Sequence, residues 1–227
     1  MQNYRISMLR HGMTEGNRTG RYIGATDSPL SPEGKEQLED LLALYDYPKV
    51  EKVYTSPLTR AVETARILYP EHRLQPIDGL QEYHFGIFEN RSIDELSADP
   101  RYQAWVNGSM EEAPDGGESR EAFAQRVTAG FCQVLSDMME HGIFSAALIG
   151  HAGVLSALLS QFCVPKRSPI EWKLESGQGY LLLTSAQMWT RDHLLEVASS
   201  IPYGRAEWTQ AEYGWFDYSP PDTSSDT

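Results

Sequence analysis

The sequence predicts an α/β fold, a three-layer sandwich in which helices flank a mostly parallel central sheet and a small cap insertion covers one edge. Short apolar segments alternate with helical segments along the chain, and this alternation is typical of a parallel sheet. Two of the apolar segments end directly at histidine-containing sequences, and ligands of such sheets bind beyond the carboxyl ends of the strands. A polar stretch over residues 81–118 interrupts the alternation and predicts the cap.

The strands and helices are recognised by the period of their apolar residues, which differs between the two kinds of element. Strands are predicted over residues 4–9, 50–54, 144–149, 180–184 and 194–197. Helices are predicted over residues 31–45, 58–68, 119–139 and 154–162. A helix separates most consecutive strands, so the chain order itself favours parallel pairing.

The first half of the chain shows where two helices begin. Residues 18–30 contain the glycines and the proline that are typical of a loop. Ser31 can cap a helix N-terminus, and Pro32 suits the first helical position. The next helix is indicated by the spacing of Ala61 and Ala65, which places them on one face.

The second half begins with a long amphipathic helix. Its predicted apolar face consists of Phe123, Val127, Phe131 and Leu135. The strand at 144–149 is apolar throughout and ends at Gly-His, and a second apolar helix follows it. The last two strands follow without a predicted helix between them.

Composition limits the possible partners. The chain carries 32 Asp and Glu residues against 19 Lys and Arg, a formal net charge of -13. Nucleic acids and anionic membranes are bound through basic surfaces, so neither partner is expected. No apolar run is long enough to cross a bilayer, and the N-terminus lacks a long apolar signal core. The two cysteines lie outside any CxxC pair, which suits a reducing compartment, and a cytoplasmic location is expected.

A single domain is expected over residues 1–205, with the cap at about 81–118. Residues 206–227 are expected to form an aromatic extension, whose end is poor in apolar residues and is predicted to be disordered. The extension is expected to pack back on the domain. The alternative is a contact with a partner, such as a homodimer, since exposed aromatic patches often mark interfaces.

The first segment that can carry chemistry is Arg10-His11-Gly12, followed by Asn17. A histidine accepts a phosphoryl group when one ring nitrogen is free and the other is held by a hydrogen bond. An adjacent arginine offers a planar fork of donors to phosphate oxygens, and a glycine lets the backbone approach a ligand. Asn17 could donate a further hydrogen bond. The tripeptide alone would equally suit a strand end with a chance basic pair.

Two further segments contribute a cation and an acid. Arg60 stands in the first turn of a predicted helix, where a cation is unfavourable unless an anion binds at that helix N-terminus. Glu82 stands among apolar and aromatic residues, which can raise the pKa of a carboxylic acid and let it protonate a leaving oxygen. Each has an ordinary alternative, a solvated surface arginine and a surface loop carboxylate.

The fourth segment is centred on His151, which directly follows the strand at 144–149. A protonated histidine there could stabilise charge on a transferring phosphoryl group, although a single histidine is more often a core or loop residue. Because His11 and His151 both follow predicted strands, they can meet at one sheet edge.

In this order, the four segments resemble the histidine phosphatase superfamily, also called the phosphoglycerate-mutase-like family. Its Arg-His-Gly hallmark falls on residues 10–12, and its second arginine, in an S-P-L-x-R-A-x-x-T-A stretch, falls on Arg60. Its acid, in an L-x-E-x-x-F-G stretch, falls on Glu82, and its second histidine falls on His151. The resemblance extends over about residues 4–184.

The resemblance implies a two-step phosphatase reaction on a small phosphate ester. His11 would take up the phosphoryl group while Glu82 protonates the leaving group and then activates water. Arg10, Arg60 and His151 would hold the phosphoryl oxygens, with no metal and no other cofactor. Contacts to the substrate are expected from four further residues: Asn17, Thr14, Gly24 and Ala152.

Two positions depart from the family pattern without removing a catalytic group. The second histidine is usually followed by Gly-Gly, and here it is followed by Ala152-Gly153. The Phe-Gly stretch commonly ends in Glu-Gly, and here it ends in Glu89-Asn90. Both changes bear on the local backbone and on the shape of the pocket.

A phosphatase is favoured over a cofactor-dependent phosphoglycerate mutase. Mutases typically carry Arg-His-Gly-Glu-Ser and Thr-Gly, where this chain has Met13-Thr14 and Ile23-Gly24. The acidic stretch at 110–119 would repel the carboxylate of a mutase substrate. A catalytically weak protein that binds phosphorylated partners is the alternative from another functional class.

Within the phosphatases, the Gly-Gly-Glu-Ser stretch at 116–119 resembles the α-ribazole phosphatase and broad-specificity branches, with fructose-2,6-bisphosphatase-like members also close. The substrate could be α-ribazole phosphate or a sugar phosphate. Four aromatic residues of the cap could stack on a base or simply pack the cap: Tyr83, Phe85, Phe88 and Trp105.

Overall fold

The structure is a computed structural model that describes residues 3–108 and 112–204. The predicted extension at 206–227 and a short part of the predicted cap therefore lie outside the described residues. The strands are β1 (Asn3–Arg10), β2 (Tyr45–Asp46), β3 (Lys52–Thr55), β4 (Leu74–Pro76), β5 (Ser145–Gly150), β6 (Cys163–Val164), β7 (Gly179–Ser185), β8 (Leu195–Ile201) and β9 (Tyr203–Gly204). The helices are α1 (Glu15–Arg18), α2 (Pro32–Leu44), α3 (Thr59–Leu68), α4 (Ile93–Leu96), α5 (Pro100–Asn107), α6 (Arg120–Glu140), α7 (Ala152–Phe162) and α8 (Ala186–Asp192).

Seven strands form one sheet in the order β4-β3-β5-β1-β7-β8-β6, and β2 pairs with β9 separately. The pairs β4/β3, β3/β5, β5/β1 and β6/β8 are parallel. In the described part of the sheet, β7 alone runs antiparallel to its neighbours β1 and β8. The predicted α/β fold with a mostly parallel sheet is confirmed.

The side chains of the central strands alternate between two cores, as the period of a strand requires. Met8 of β1 packs in a core with Phe131 of α6 and Leu158 of α7. Leu9, the next residue, packs in a second core with Leu38 of α2 and further residues of α3. The sheet is therefore the middle of three layers.

Local signals in the sequence place several helix ends. The Ser31 hydroxyl accepts a hydrogen bond from Gly34 N at 3.0 Å, and Pro32 is the first residue of α2. In the same way, Ser119 Oγ accepts from Ala122 N at 3.1 Å and caps α6. The predicted apolar face of α6 is buried.

Several short elements were not predicted: α1, β2, β4, β6, α8 and β9. The predicted strand at 50–54 is placed slightly too early, since β3 is Lys52–Thr55, and the last predicted strand is too short, since β8 continues to Ile201. The predicted cap contains α4, α5 and a 3-10 turn at Gly86–Phe88, joined by irregular segments. None of the described helices is long and apolar enough to span a membrane.

Candidate active site

His11 and His151 lie side by side because they follow adjacent parallel strands. The register of β1 and β5 pairs Arg10 with Gly150, so the next residue on each strand is a histidine. His11 N donates to Gly150 O at 2.9 Å, and the two imidazole centroids are 5.1 Å apart with their planes at 60°. The structure thus brings together the two histidines that sequence analysis placed at one sheet edge.

The His11 ring is held in one neutral form. His11 Nδ1 lies 2.6 Å from Gly12 O, and a carbonyl can only accept, so the ring proton is on Nδ1 and Nε2 carries a free lone pair. Burial, reinforced by Arg60 and Arg10, lowers the pKa of His11 to about 3. Gly12 is itself fixed, since its N–H donates to Thr64 Oγ1 at 2.9 Å.

His151 is also neutral, whereas a protonated histidine was expected at this position. Arg60 Nε donates to His151 Nδ1 at 3.2 Å, so that nitrogen must be unprotonated. The proton is on Nε2, which donates to Ser56 Oγ at 2.7 Å. Burial, then the neighbouring His11 and Arg60, holds the pKa of His151 well below its usual value. His151 therefore uses both ring nitrogens for hydrogen bonds within the protein and does not bring a positive charge.

Arg60 is completely buried in the first turn of α3. Besides the bond to His151, its Nη1 donates to Thr26 O at 2.9 Å and its Nη2 donates to Gly24 O at 2.7 Å. Desolvation lowers the pKa of Arg60, and Glu82 is first among the carboxylates that oppose this effect. The guanidinium is thereby fixed between the loop after α1 and the second histidine.

A cleft of about 350 Å³ opens beside His11. It is lined by Arg10, His11, Asn17, Arg21, Tyr22, Ile23, Glu82, Tyr83, Phe85, Phe123, Ala152 and Gly153. Arg10 Nη1 donates to Leu174 O at 2.7 Å, whereas Arg10 Nε is buried without a hydrogen-bond partner in the described part of the chain. Buried donors are rarely left unpaired, so an acceptor in the cleft is the natural partner of this N–H.

Glu82 enters the cleft from the first residues of the cap. Its Oε1 accepts from Tyr83 N at 2.9 Å and its Oε2 accepts from Gly153 N at 2.8 Å. Burial raises the pKa of Glu82, although these two N–H donors and the arginines Arg60 and Arg10 oppose the rise. A carboxyl group in this environment can hold and release a proton closer to neutral pH than an exposed glutamate.

The four expected substrate contacts separate into two pairs. Asn17 and Ala152 line the cleft, and the Asn17 Oδ1 atom is already bound by Thr14, which leaves the amide NH₂ for a ligand. Thr14 is fully buried and caps α1, and Gly24 uses its N–H for Glu89 and its C=O for Arg60. The structure therefore does not bring Thr14 and Gly24 to the cleft.

The two departures from the family pattern preserve the backbone. Asn90 has φ 58°, a left-handed conformation that asparagine tolerates better than most residues other than glycine. At Gly153 a Cβ would lie 2.4 Å from Glu82 Oε1, so glycine is the residue that leaves this carboxyl group in place. Ala152 occupies the other position of the Gly-Gly pair, on the wall of the cleft.

Four polar residues that hold the site residues were not predicted from the sequence: Ser56, Thr64, Glu89 and Arg126. Ser56 and Thr64 are the serine and the last threonine of the S-P-L-x-R-A-x-x-T-A stretch that contains Arg60, so this motif could have predicted them. Arg126 Nη1 donates to Gln81 O at 2.9 Å and thereby supports the Glu82 segment. No sequence motif predicted this contact. In the described residues, no group of three or more His, Cys, Asp or Glu side chains is arranged to hold a metal ion.

Comparison with known proteins places this site in a family. Residues 6–193 match the histidine phosphatase superfamily (branch 1). The chain is 32% identical over 178 residues to the adenosylcobalamin/alpha-ribazole phosphatase of Escherichia coli (strain K12), covering 76% of this chain and 86% of that protein. It is 30% identical over 161 residues to the probable phosphoglycerate mutase GpmB of Proteus mirabilis, covering 68% of this chain and 73% of that protein.

A solved structure agrees with both the fold and the family. The alpha-ribazole phosphatase from Shigella flexneri superposes with a TM-score of 0.71 at 27% identity, covering 88% of this chain and 96% of that chain. The expected class of enzyme, a phosphatase, is confirmed by these similarities. The chain belongs to the histidine phosphatase superfamily (branch 1).

Proposed function

We propose that this protein hydrolyses small phosphate monoesters through a phosphohistidine on His11, without a metal ion. The observation that carries the proposal is the state of the His11 ring, which is buried and neutral with a free lone pair on Nε2. This nitrogen belongs to a residue that lines the same cleft as Arg10 and Glu82. A nucleophile, a cation and an acid are the groups that phosphoryl transfer requires.

In the first step, His11 Nε2 attacks phosphorus in line with the leaving oxygen. The P–N bond forms as the P–O bond to the alcohol breaks, and the Glu82 proton passes to the departing oxygen. The phosphoryl oxygens have donors in the unpaired Arg10 Nε–H and the Asn17 amide, and Ala152, the first residue of α7, lines the cleft beside them. His151 lies beside His11 as a neutral ring, and Arg60 contributes positive charge from behind it.

In the second step, water replaces the alcohol. The Glu82 carboxylate takes a proton from the water, whose oxygen attacks phosphorus while the P–N bond breaks. Inorganic phosphate leaves and His11 regains its starting form. The raised pKa of Glu82 suits both roles, because the group must be protonated in the first step and ionised in the second.

The walls of the cleft favour an ester with an aromatic or heterocyclic group. Four aromatic residues line the cleft: Tyr22, Tyr83, Phe85 and Phe123. Phe88 and Trp105 instead pack against each other inside the cap, with ring centroids 5.3 Å apart. An α-ribazole-type phosphate, which carries a planar base, fits such walls, and relatives are named for that substrate. A sugar phosphate is the alternative.

A phosphoglycerate mutase is the second candidate, because some relatives carry that name. A mutase substrate adds a carboxylate, which requires a further cation. Among the described residues, the cation that lines the cleft besides Arg10 is Arg21, and its guanidinium is bound by both oxygens of Glu95 at 3.0 Å. This pairing favours the phosphatase.

The test is phosphate release by the pure protein in the presence of EDTA. p-Nitrophenyl phosphate, α-ribazole phosphate, sugar phosphates and 3-phosphoglycerate are compared, with His11→Ala as the inactive variant. We expect phosphate release that requires His11 and is insensitive to EDTA. Esters that carry an aromatic or heterocyclic group should be preferred over the sugar phosphates and 3-phosphoglycerate. Release by His11→Ala, or loss of activity in EDTA, would contradict the proposal. The homodimer and the cytoplasmic location stay predictions, for which light scattering and cell fractionation are the measurements.

A further inference from the structure

We propose that Glu89 is a positioning residue, which orients Arg60 and His151 through the loop of residues 24–26. This inference rests on the proposed phosphoryl transfer at His11. Glu89 ends the Phe-Gly stretch in the cap, and its carboxylate is not part of the cleft lining. It acts through other residues and does not touch the reacting atoms.

The Glu89 carboxylate is saturated by donors. Its Oε2 accepts from Gly24 N at 3.1 Å, from Thr26 N at 3.3 Å and from Thr26 Oγ1 at 2.6 Å. Its Oε1 accepts from Ala25 N and Phe85 N, both at 3.0 Å. Four of these five donors come from the three residues of the loop, so the carboxylate fixes every N–H of that segment. Charge-assisted hydrogen bonds of this kind are about twice as strong as neutral ones.

The carbonyl groups of the same loop face a cation. Gly24 O accepts from Arg60 Nη2 at 2.7 Å, and Thr26 O accepts from Arg60 Nη1 at 2.9 Å. The loop therefore lies between two charged side chains. Its N–H groups donate to the Glu89 carboxylate, and the C=O groups of Gly24 and Thr26 accept from the Arg60 guanidinium. Because the peptide unit that joins Gly24 to Ala25 is planar, fixing the Ala25 N–H also fixes the direction of the Gly24 C=O.

The chain of contacts continues to the second histidine. Arg60 Nε donates to His151 Nδ1 at 3.2 Å, and this bond keeps the ring proton on Nε2. Loss of the Glu89 carboxylate would free the loop, remove the two fixed acceptors of Arg60 and loosen the bond to His151. We expect phosphoryl transfer to slow while substrate binding at the cleft walls changes little.

Glu89→Gln is the informative substitution, because glutamine matches glutamate in shape but not in hydrogen bonding. Each carboxylate oxygen accepts at least two donors, so in either orientation the glutamine NH₂ faces two or more N–H or O–H groups. We expect kcat to fall about 10²-fold, as for other small misplacements of catalytic groups, with KM nearly unchanged. The matched control is Glu51→Gln, which removes a carboxylate that accepts from Phe144 N and Ser145 Oγ at the start of β5.

A double-mutant cycle with Arg60→Lys tests the route of the effect. If Glu89 acts through Arg60, the double variant should be no slower than Arg60→Lys alone, because coupled residues are not additive. Losses of kcat that multiply, or a Glu89→Gln enzyme with the kcat of the wild type, would overturn the inference. Equal melting temperatures of Glu89→Gln and the Glu51→Gln control would exclude a general loss of structure.

A second readout does not depend on turnover. Imidazole ¹⁵N NMR of the ligand-free protein reports which nitrogen of His151 carries the proton. We expect one neutral tautomer, with the proton on Nε2, in the wild type and in Glu51→Gln, and a mixture of tautomers in Glu89→Gln. An unchanged His151 spectrum in Glu89→Gln would refute the positioning role even if the wild type proved inactive on every ester. Inactivity of the wild type would instead count against the proposed function.

Discussion

Substitution of Gly153 with alanine tests the role of Glu82 without removing any functional group. A Cβ at position 153 would lie 2.4 Å from Glu82 Oε1 and 3.0 Å from its Cδ, whereas ordinary van der Waals contact begins at 3.4 Å. The carboxyl group must therefore move by about 1 Å, since the position of a Cβ is fixed by the backbone of α7 and the added atom cannot rotate away. A displacement of about 1 Å of a catalytic group costs about 10²-fold in rate.

The same substitution should not weaken the fold by its effect on the helix. Position 153 lies in the first turn of α7, and alanine is the better helix former by up to about 1 kcal/mol. Gly204→Ala is the control, because a Cβ at that exposed position meets no atom within 4 Å. A loss of activity with an unchanged melting temperature would therefore point to the carboxyl group.

The assay compares kcat/KM for two esters. p-Nitrophenolate leaves readily without a proton, whereas the alkoxide of glycerol 2-phosphate needs one, so displacement of the acid should affect the alkyl ester more. We expect the loss of about 10²-fold on the alkyl ester and a much smaller loss on p-nitrophenyl phosphate. Equal losses on the two esters, or full activity on glycerol 2-phosphate, would refute the assignment of Glu82 as the acid.

Three further predictions concern the buried groups. The pKa of His11 is about 3 in the folded protein against 6.5 for the free side chain, so the unfolded chain binds more protons between these values and stability is lost as the pH falls below 6.5. This loss reaches about 2 kcal/mol at pH 5. Urea unfolding at pH 5 and pH 8 should show the loss in the wild type but not in His11→Gln. An equal difference in unfolding free energy between the two proteins at both pH values would contradict the neutral His11. Thr64→Val leaves the buried Gly12 N–H without its acceptor, and we expect a loss of about 1–3 kcal/mol in urea together with a lower kcat; unchanged values of both would show that Thr64 does not support the His11 segment. Phe131→Ala empties a fully buried site between Phe162 and Trp189 and should cost about 3–5 kcal/mol, with the kcat of the folded protein retained; a reduced kcat at full folding would link this core to the site.

The main elements of the fold could be predicted because each has a long periodic or apolar signal. The helix α6 and the strand β5 are examples, and both are buried as predicted. The missed elements are too short for a period to be recognised. β4 has three residues and ends in proline, and α8 has seven residues whose start is marked only by the Ser185 cap. Their structure depends on neighbours in the fold rather than on local sequence.

The candidate site could be predicted where the reactive residues stand within a sequence motif. It could not be predicted where contacts between residues distant in sequence determine the geometry. His11, Arg60, Glu82 and His151 stand in recognisable segments. The hydrogen bond that fixes the His151 tautomer joins residues 91 positions apart, and no local sequence pattern predicts it. For the same reason Thr14, which sequence analysis placed at the substrate, serves as a helix cap in the structure.

The placement of the site across two parts of the chain has a consequence for how this scaffold can diversify. The two histidines stand at the ends of central strands, whose register is fixed by the buried sheet. Glu82, Tyr83 and Phe85 come instead from the stretch that joins β4 to α6 and that also contains the cap. Insertions or exchanges in that stretch that keep Glu82 and Glu89 can therefore reshape the walls of the cleft while both histidines keep their places on the sheet. Grafting a foreign stretch that retains Glu82 and Glu89 between β4 and α6 is a route to new ester specificities on this sheet.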